Sequence, residues 1–462
     1  MPESQTNLGW DVLLDLSGPD GGPRHERLAR ALRAAIRDGA LPLGTALPPS
    51  RALAADLSCS RWLVTQAYAQ LVAEGYLAAR TGAATRVSWS PERDDRSAPA
   101  QQVAETPRYD LAPGLPDLRA FPRRRWADAL RDVLTTLPHQ EFGLPPHGGH
   151  PRLRAVLAEY LRRCRGATTT PNDVTICAGV TEGVTQVCRA LVAAGITRIG
   201  VEDPSWGRTR QAAMEAGMDV VPVPVDDDGL RVDRLRGLRA VIVTPAHQFP
   251  TGTVLAPARR SALVEWAREV DGLVLEDDYD AEFRYDRRPV GTVQGMAPGH
   301  VALFGSVSKT LSPALGIGWY VLPPAWACAA AATPPVVDQL ALAAFVERGG
   351  YDRQLRAVRL RYRARRDALV AALATHLPDA RITGVAAGLH LLLHLPGTPD
   401  TASLVRRAAA EGLRLVDLDT YRGTPERDST LVLGYGNLAD SAVGAAVTLL
   451  AALYDGGHLA SR

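Results

Sequence analysis

Apolar residues follow two different periods along this chain, and the change falls near residue 108. Up to Val87 they recur at helical spacing. Leu28, Leu32 and Ile36 stand at i, i+4 and i+8 and predict a helix that ends before Gly39. Ser50 is placed to cap a second, short helix with Leu53 and Leu57 on its buried face. After a break at Ser58-Cys59, Ser60 caps a third. On that helix Val64, Ala67, Tyr68 and Leu71 face inward, and Arg61, Trp62, Thr65 and Gln66 face outward. The stretch from Gly75 to Val87, with Thr81-Gly82 at its centre, predicts a β-hairpin.

Residues 88–108 are rich in Pro, Ser and charge, have no apolar period, and read as a linker. From Tyr109 to the C-terminus, helical patterns alternate with short apolar runs. These runs are Val174–Ile176, Arg198–Val201, Val220–Val225, Ala240–Val243, Leu273–Leu275 and Val301–Phe304. Such alternation predicts an α/β domain over 109–462 with a mostly parallel sheet flanked by helices. The first domain spans 10–87.

Composition adds three limits. A hydrophobic fraction of 46% with 22% charged residues is that of a globular chain, and no apolar run is long enough to span a bilayer. The five cysteines are scattered and odd in number, which fits reduced thiols and a cytoplasmic protein. They show no metal-binding spacing, and no metal site is expected. The formal net charge is only +2, but from Arg24 to Arg86 nine arginines face four acids, a local excess of 9 − 4 = +5. That excess suits a phosphate backbone. Helix, tight turn, and second helix with polar outward residues at its start form a helix-turn-helix arrangement, whose second helix enters the major groove of double-stranded DNA.

The larger domain carries one residue that stands out. Lys309 is the only lysine among 52 basic residues. Arginine substitutes for lysine where only positive charge is needed, but it cannot lose a proton and attack a carbonyl. A lone lysine in Gly305-Ser306-Val307-Ser308-Lys309, after an apolar strand, therefore suits a Schiff base with pyridoxal phosphate, the serines standing near the phosphate. Such a cofactor needs further helpers. Asp277, at the end of the strand Leu273–Leu275, suits the pyridinium nitrogen, and Tyr279 suits the ring 3'-oxygen. Asp278 and Asp280 read as solvated loop acids. Val180 and Thr181, in a Gly-flanked turn that opens a helix, suit the phosphate, and Trp206 suits the ring face.

These residues resemble known families. The stretch from about Leu28 to Val87, with Leu47-Pro48-Pro49-Ser50-Arg51 at its heart, resembles the winged helix-turn-helix of the GntR family. The resemblance implies DNA contacts by Arg51, Ser60, Arg61, Trp62, Thr81 and Gly82. The motifs Thr244 to Gly252, Glu276 to Tyr285 and Ser306 to Pro313 resemble fold-type I aminotransferases. Both together resemble the MocR/GabR-type subfamily of GntR regulators. That resemblance implies a homodimer, a smaller C-terminal α+β subdomain, and pyridoxal 5'-phosphate held as an internal aldimine on Lys309. It also implies cofactor contacts by Asp277, Tyr279, Val180, Thr181, Ser306, Ser308, Trp206 and His247.

In the smaller domain Trp62 stands where a small residue is usual, and the wing reads Gly82-Ala83-Ala84-Thr85 where a second glycine is common. In the larger domain four positions depart from the family pattern. Gly316 stands where an arginine is usual, seven residues after the lysine, and Phe142 where a tyrosine is usual; both deplete the phosphate site. Arg208 and Arg210 are the candidate replacements. Val432 and Phe249 stand where catalytic relatives keep a substrate-clamping arginine and an asparagine. The expected function is therefore a DNA-binding transcriptional regulator that uses pyridoxal phosphate, with the cofactor or a small amine or amino acid as effector. The alternatives are an active aminotransferase with a fused DNA-binding domain, and a regulator that has lost the cofactor.

Overall fold

The computed structural model describes residues 22–80, 83–89, 106–143, 146–285, 290–326, 333–397, 401–423 and 429–459. Thr81, Gly82, Cys328 and most of the predicted linker lie outside them. Internal contacts divide the chain into two units, residues 1–104 and 105–462.

In the smaller unit, α1 (Arg24–Arg37), α2 (Ser50–Asp56) and α3 (Arg61–Ala73) are followed by an antiparallel hairpin of β1 (Leu77–Ala78) and β2 (Arg86–Val87). Leu28, Leu32, Ile36, Leu53, Val64, Ala67 and Leu71 close one apolar core, as their spacing predicts. Ser60 caps α3 by accepting a hydrogen bond from the Leu63 N–H. Ser50 does not cap α2: the cap position is Pro49, and Ser50 is the first helical residue. The proline fixes an extended backbone immediately before the helix, which leaves the Ser50 hydroxyl free to accept from Arg61 Nε at 3.4 Å.

The larger unit opens with β3 (Tyr109–Asp110), which pairs with β14 (Leu413–Arg414) near the far end of the chain. Between them lies an eight-stranded sheet. Its strands are β4 (Val174–Cys177), β5 (Arg198–Asp203), β6 (Asp219–Asp226), β7 (Gly229–Leu230), β8 (Ala240–Val243), β9 (Leu273–Asp277), β10 (Val301–Ser306) and β11 (Gly318–Val321), in the order 4-11-10-9-8-5-6-7. Only β11 and β7 run against the rest. The six predicted strands are all present, and each parallel one brings its carboxyl end to the same edge. Helices pack on the sheet; α4 (Val180–Ala193) follows β4 and α5 (Gly207–Glu215) follows β5.

A separate apolar core gathers around β12 (Arg381–Thr383), β13 (His390–His394) and β15 (Thr430–Gly434), an antiparallel sheet packed under the long helix α6 (Gly350–His376) and the C-terminal helix. This is the smaller α+β subdomain.

Candidate functional site

The turns after five of the six parallel strands contribute to a single cavity of about 280 Å³. Ala178, Gly179, Val180 and Thr181 come from the turn after β4, Trp206 from that after β5, and Thr244 and Phe249 from that after β8. Asp277 and Tyr279 follow from β9, and Ser306, Ser308 and Lys309 from β10. This is the place where open α/β sheets bind ligands, because the strand order leaves a crevice at their carboxyl ends. Gly114, Leu389 and His390, the last the first residue of β13, close the other side.

The phosphate-type end is shaped by glycine. Gly179 precedes α4 with φ = +105°, a conformation that side chains disfavour. A Cβ on Gly318 would lie 2.7 Å from the Gly179 Cα, so Gly318 is needed for β11 to pass against the turn. The backbone N–H groups at the start of α4 therefore face the cavity beside the Thr181, Ser306 and Ser308 side chains.

Lys309 donates to the Gly114 carbonyl and lies 5.6 Å from the centre of the Trp206 ring. Such exposure as Lys309 keeps is to the cavity, and desolvation pushes its ammonium below the usual lysine range. That direction favours the neutral, nucleophilic amine. Asp277 is pushed up to about 7, chiefly by burial and against the pull of Lys309. Its Oδ1 is buried and has no partner among the described residues. An acceptor held dry at a strand end, opposite a lysine, is what a protonated pyridinium nitrogen would satisfy. These residues fit pyridoxal phosphate.

A second layer stands behind Tyr279. Its hydroxyl lies 3.1 Å from His247 Nδ1, and that nitrogen lies 2.9 Å from Asp280 Oδ2. His247 does not line the cavity. The resemblance puts it among the cofactor contacts; the structure sets it one layer back, against Tyr279. Asp280 is correspondingly not a solvated acid, since its side chain is only 1% exposed. Nor is Asp278, which pairs with the buried Arg165 at 2.6 Å. The donor atoms of His247, Asp280 and His390 lie within 4.8 Å of one another. However, His247 Nδ1 is engaged as described and His390 Nε2 bonds the Pro250 carbonyl at 3.0 Å. His247 Nε2 and Asp280 Oδ1 are buried with no hydrogen-bond partner among the described residues.

The departures can now be placed. Gly316 lines the cavity with φ = +58° and open space where a Cβ would stand. Phe142 is 53% exposed and does not line the cavity. Phe249 forms part of the wall, edge-on to Trp206 with centroids 5.1 Å apart, and Val432 is buried behind it in one apolar cluster. Arg208 lines the cavity and Arg210 does not.

In the smaller unit Arg51, Ser60, Arg61 and Trp62 are all exposed around the start of α3, Trp62 at 63%. Not all of the local positive charge is available to a partner. Arg33 is paired to Glu74 at 2.6 Å, and Arg37 donates to the Tyr76 hydroxyl at 2.7 Å.

Comparison with known proteins agrees with both units. Residues 24–87 match the model for bacterial regulatory proteins of the gntR family, and residues 110–419 match that for aminotransferases of class I and II. The chain is 32% identical to the HTH-type pyridoxine biosynthesis transcriptional regulator PdxR of Corynebacterium glutamicum, over 89% of this chain and 91% of that protein. It is 32% identical to the probable rhizopine catabolism regulatory protein MocR of Rhizobium meliloti, over 90% of each. Among solved structures, an archaeal alanine:glyoxylate aminotransferase superposes with a TM-score of 0.68 at 25% identity, covering 75% of this chain and 91% of that one. The chain thus belongs to the MocR-type transcriptional regulators, in which a GntR helix-turn-helix domain is joined to an aminotransferase-like domain. The cofactor of that fold is pyridoxal 5'-phosphate.

Proposed function

We propose that the larger unit holds pyridoxal 5'-phosphate on Lys309 and uses it to sense a ligand, while α3 of the smaller unit reads an operator in double-stranded DNA. The observation that carries this reading is the meeting of Lys309, Asp277, Tyr279 and the start of α4 in one cavity. The bound cofactor supplies an aldehyde for the lysine and a ring that withdraws electrons. Asp277 Oδ1 would hold the proton on the ring nitrogen, Tyr279 would donate to the ring oxygen, and Trp206 would cover the ring face. The Val180 and Thr181 N–H groups and the Ser306 and Ser308 hydroxyls would orient the phosphate. The chain would work as a homodimer in the cytoplasm, and an effector would act by binding one arrangement of the protein better than another.

A sensor is favoured over a catalyst by the apolar end of the cavity. Phe249 and Leu389 form that wall, with Val432 buried behind it, and among the described residues no arginine lies in that wall to orient a carboxylate for proton abstraction. The deciding experiment is an absorbance spectrum of the full chain with added pyridoxal phosphate. Wild-type protein should show a visible band that borohydride bleaches while leaving the cofactor covalently attached, and Lys309→Ala should show neither. No band with DNA binding intact would sink the reading in favour of a cofactor-free regulator. Turnover of amino donors with 2-oxoglutarate would replace the sensor with an active aminotransferase.

A further inference from the structure

The Tyr279 hydroxyl has a single proton to give, and more than one acceptor competes for it. Burial, with the acids Asp280, Asp277 and Glu202 beside it, holds the hydroxyl well above the usual tyrosine range, so it stays a neutral phenol. Its proton can go to Asp280, to His247 Nδ1, or into the cavity that Tyr279 lines.

The tautomer of His247 decides between them. Nδ1 lies 2.9 Å from Asp280 Oδ2, while Nε2 is buried with no partner among the described residues. A proton on Nε2 would be an unpaired buried donor, and the bare Nδ1 would face a carboxylate oxygen. The ring therefore carries its proton on Nδ1 and donates it to Asp280. Nδ1 then has no lone pair for the Tyr279 hydroxyl 3.1 Å away.

The turn before β13 closes over this pair. A Cβ on Gly388, whose φ is +67°, would run into His247 Cε1 and Asp280 Oδ2. The Gly388 carbonyl is itself pinned by the Tyr285 and Tyr435 hydroxyls, at 2.6 and 2.8 Å. Other donors in this part of the wall are spent. Phe249 has none, Thr244 donates to Glu202 at 2.6 Å, and His390 donates from Nε2 to the Pro250 carbonyl. Burial and His247 hold His390 well below the usual histidine range, so it has no second proton to offer.

We propose that His247 and Asp280 are positioning residues for Tyr279. The imidazole occupies the carboxylate, so the phenol proton turns into the cavity and onto the ring oxygen of the cofactor. This rests on the reading that the cavity binds pyridoxal phosphate at Lys309. Without the imidazole, Asp280 takes the Tyr279 proton and the ring oxygen loses its donor.

The test follows the visible band of the loaded full chain against pH. The proton behind that band is shared between the lysine nitrogen and the ring oxygen, so a donor to the oxygen lowers the pH of its release. Tyr279→Phe should raise that pH by about one unit, the worth of one hydrogen bond. His247→Ala should raise it by nearly as much, and both changes together should raise it no further, because His247 acts through the phenol. His247→Asn places an amide N–H where Nδ1–H stood and should keep most of the wild-type value; His247→Gln, reaching as Nε2 does, should not. This last pair also serves if melting curves show that His247→Ala folds poorly. An unshifted band in either Tyr279→Phe or His247→Ala overturns the proposal. So do additive shifts in the double variant, or equal values for the Asn and Gln variants. The tautomer is open to a measurement that needs no cofactor. Nitrogen-15 spectra of cofactor-free protein should show His247 protonated at Nδ1, and a proton on Nε2 overturns the proposal. Wild-type protein with no visible band would remove the cofactor reading itself, an outcome separate from all of these.

Discussion

At the scale of single residues the site is built by taking charge out of water. Asp277, Glu202 and Glu276 are each pushed up to about 7, with burial the largest cause. A carboxyl whose folded pKa exceeds its unfolded value binds more protons in the folded state, so its contribution to stability is present at low pH and is lost as pH rises through the folded pKa. For Asp277 the window runs from about 4 to about 7. Asp277→Asn should therefore melt above wild type in cofactor-free protein, with a gap that opens across this window and levels off above it. The upper bound is about 4 kcal/mol, from a shift of about 3 units. A melting series at pH 5 to 8 checks it, and a gap independent of pH would contradict it. The same variant should lose the visible band, so the site is bought with stability. Lys309, Asp277 and Tyr279 were legible because their chemistry is local: a lone amine after one strand, an acid and a phenol at the end of another. The Asp280–His247 contact and the Arg165–Asp278 pair were not. Their partners are 33 and 113 residues apart in sequence, and an acid in a polar run looks solvated until its partner is known.

At the scale of elements, periodicity served where an element had a single buried face. α1 and α3 bury the stripes that their spacing marks, and the central strands β8, β9 and β10 carry continuous apolar runs because both faces of the sheet are covered there. β11 was harder to see. It is four residues long, begins with glycine and runs antiparallel between β10 and β4, a placement that only tertiary pairing decides. The cap of α2 was misplaced for a related reason: a serine after two prolines looks like a cap, but the second proline already fixes the turn. α3 offers a clean separation of stability from recognition. Ser60→Ala removes the hydroxyl that accepts from Leu63 and should cost about 1 kcal/mol of unfolding free energy. Arg61→Ala, at an exposed position, should leave the melting temperature within error and weaken binding to an operator duplex by about 1–3 kcal/mol. Calorimetry and a gel-shift titration on both variants would show the two effects; equal losses of stability would refute the assignment of Arg61 to the interface.

At the scale of the whole molecule, two units with separate cores divide the labour. One carries the exposed basic end of a recognition helix, and the other a cavity assembled from five strand ends and a second sheet. The division was visible in the sequence because the linker breaks the apolar pattern. The closure of the cavity by Leu389 and His390 was not, since these residues stand some eighty positions beyond Lys309 on a different sheet. The single lysine also makes the chain its own label. A protease that cuts only after lysine has one bond to attack, between Lys309 and Thr310. Unfolded protein should fall into two fragments, residues 1–309 and 310–462, whereas protein first loaded with pyridoxal phosphate and reduced with borohydride should stay whole on a denaturing gel. The fraction left uncut would count occupied sites directly, one chain at a time.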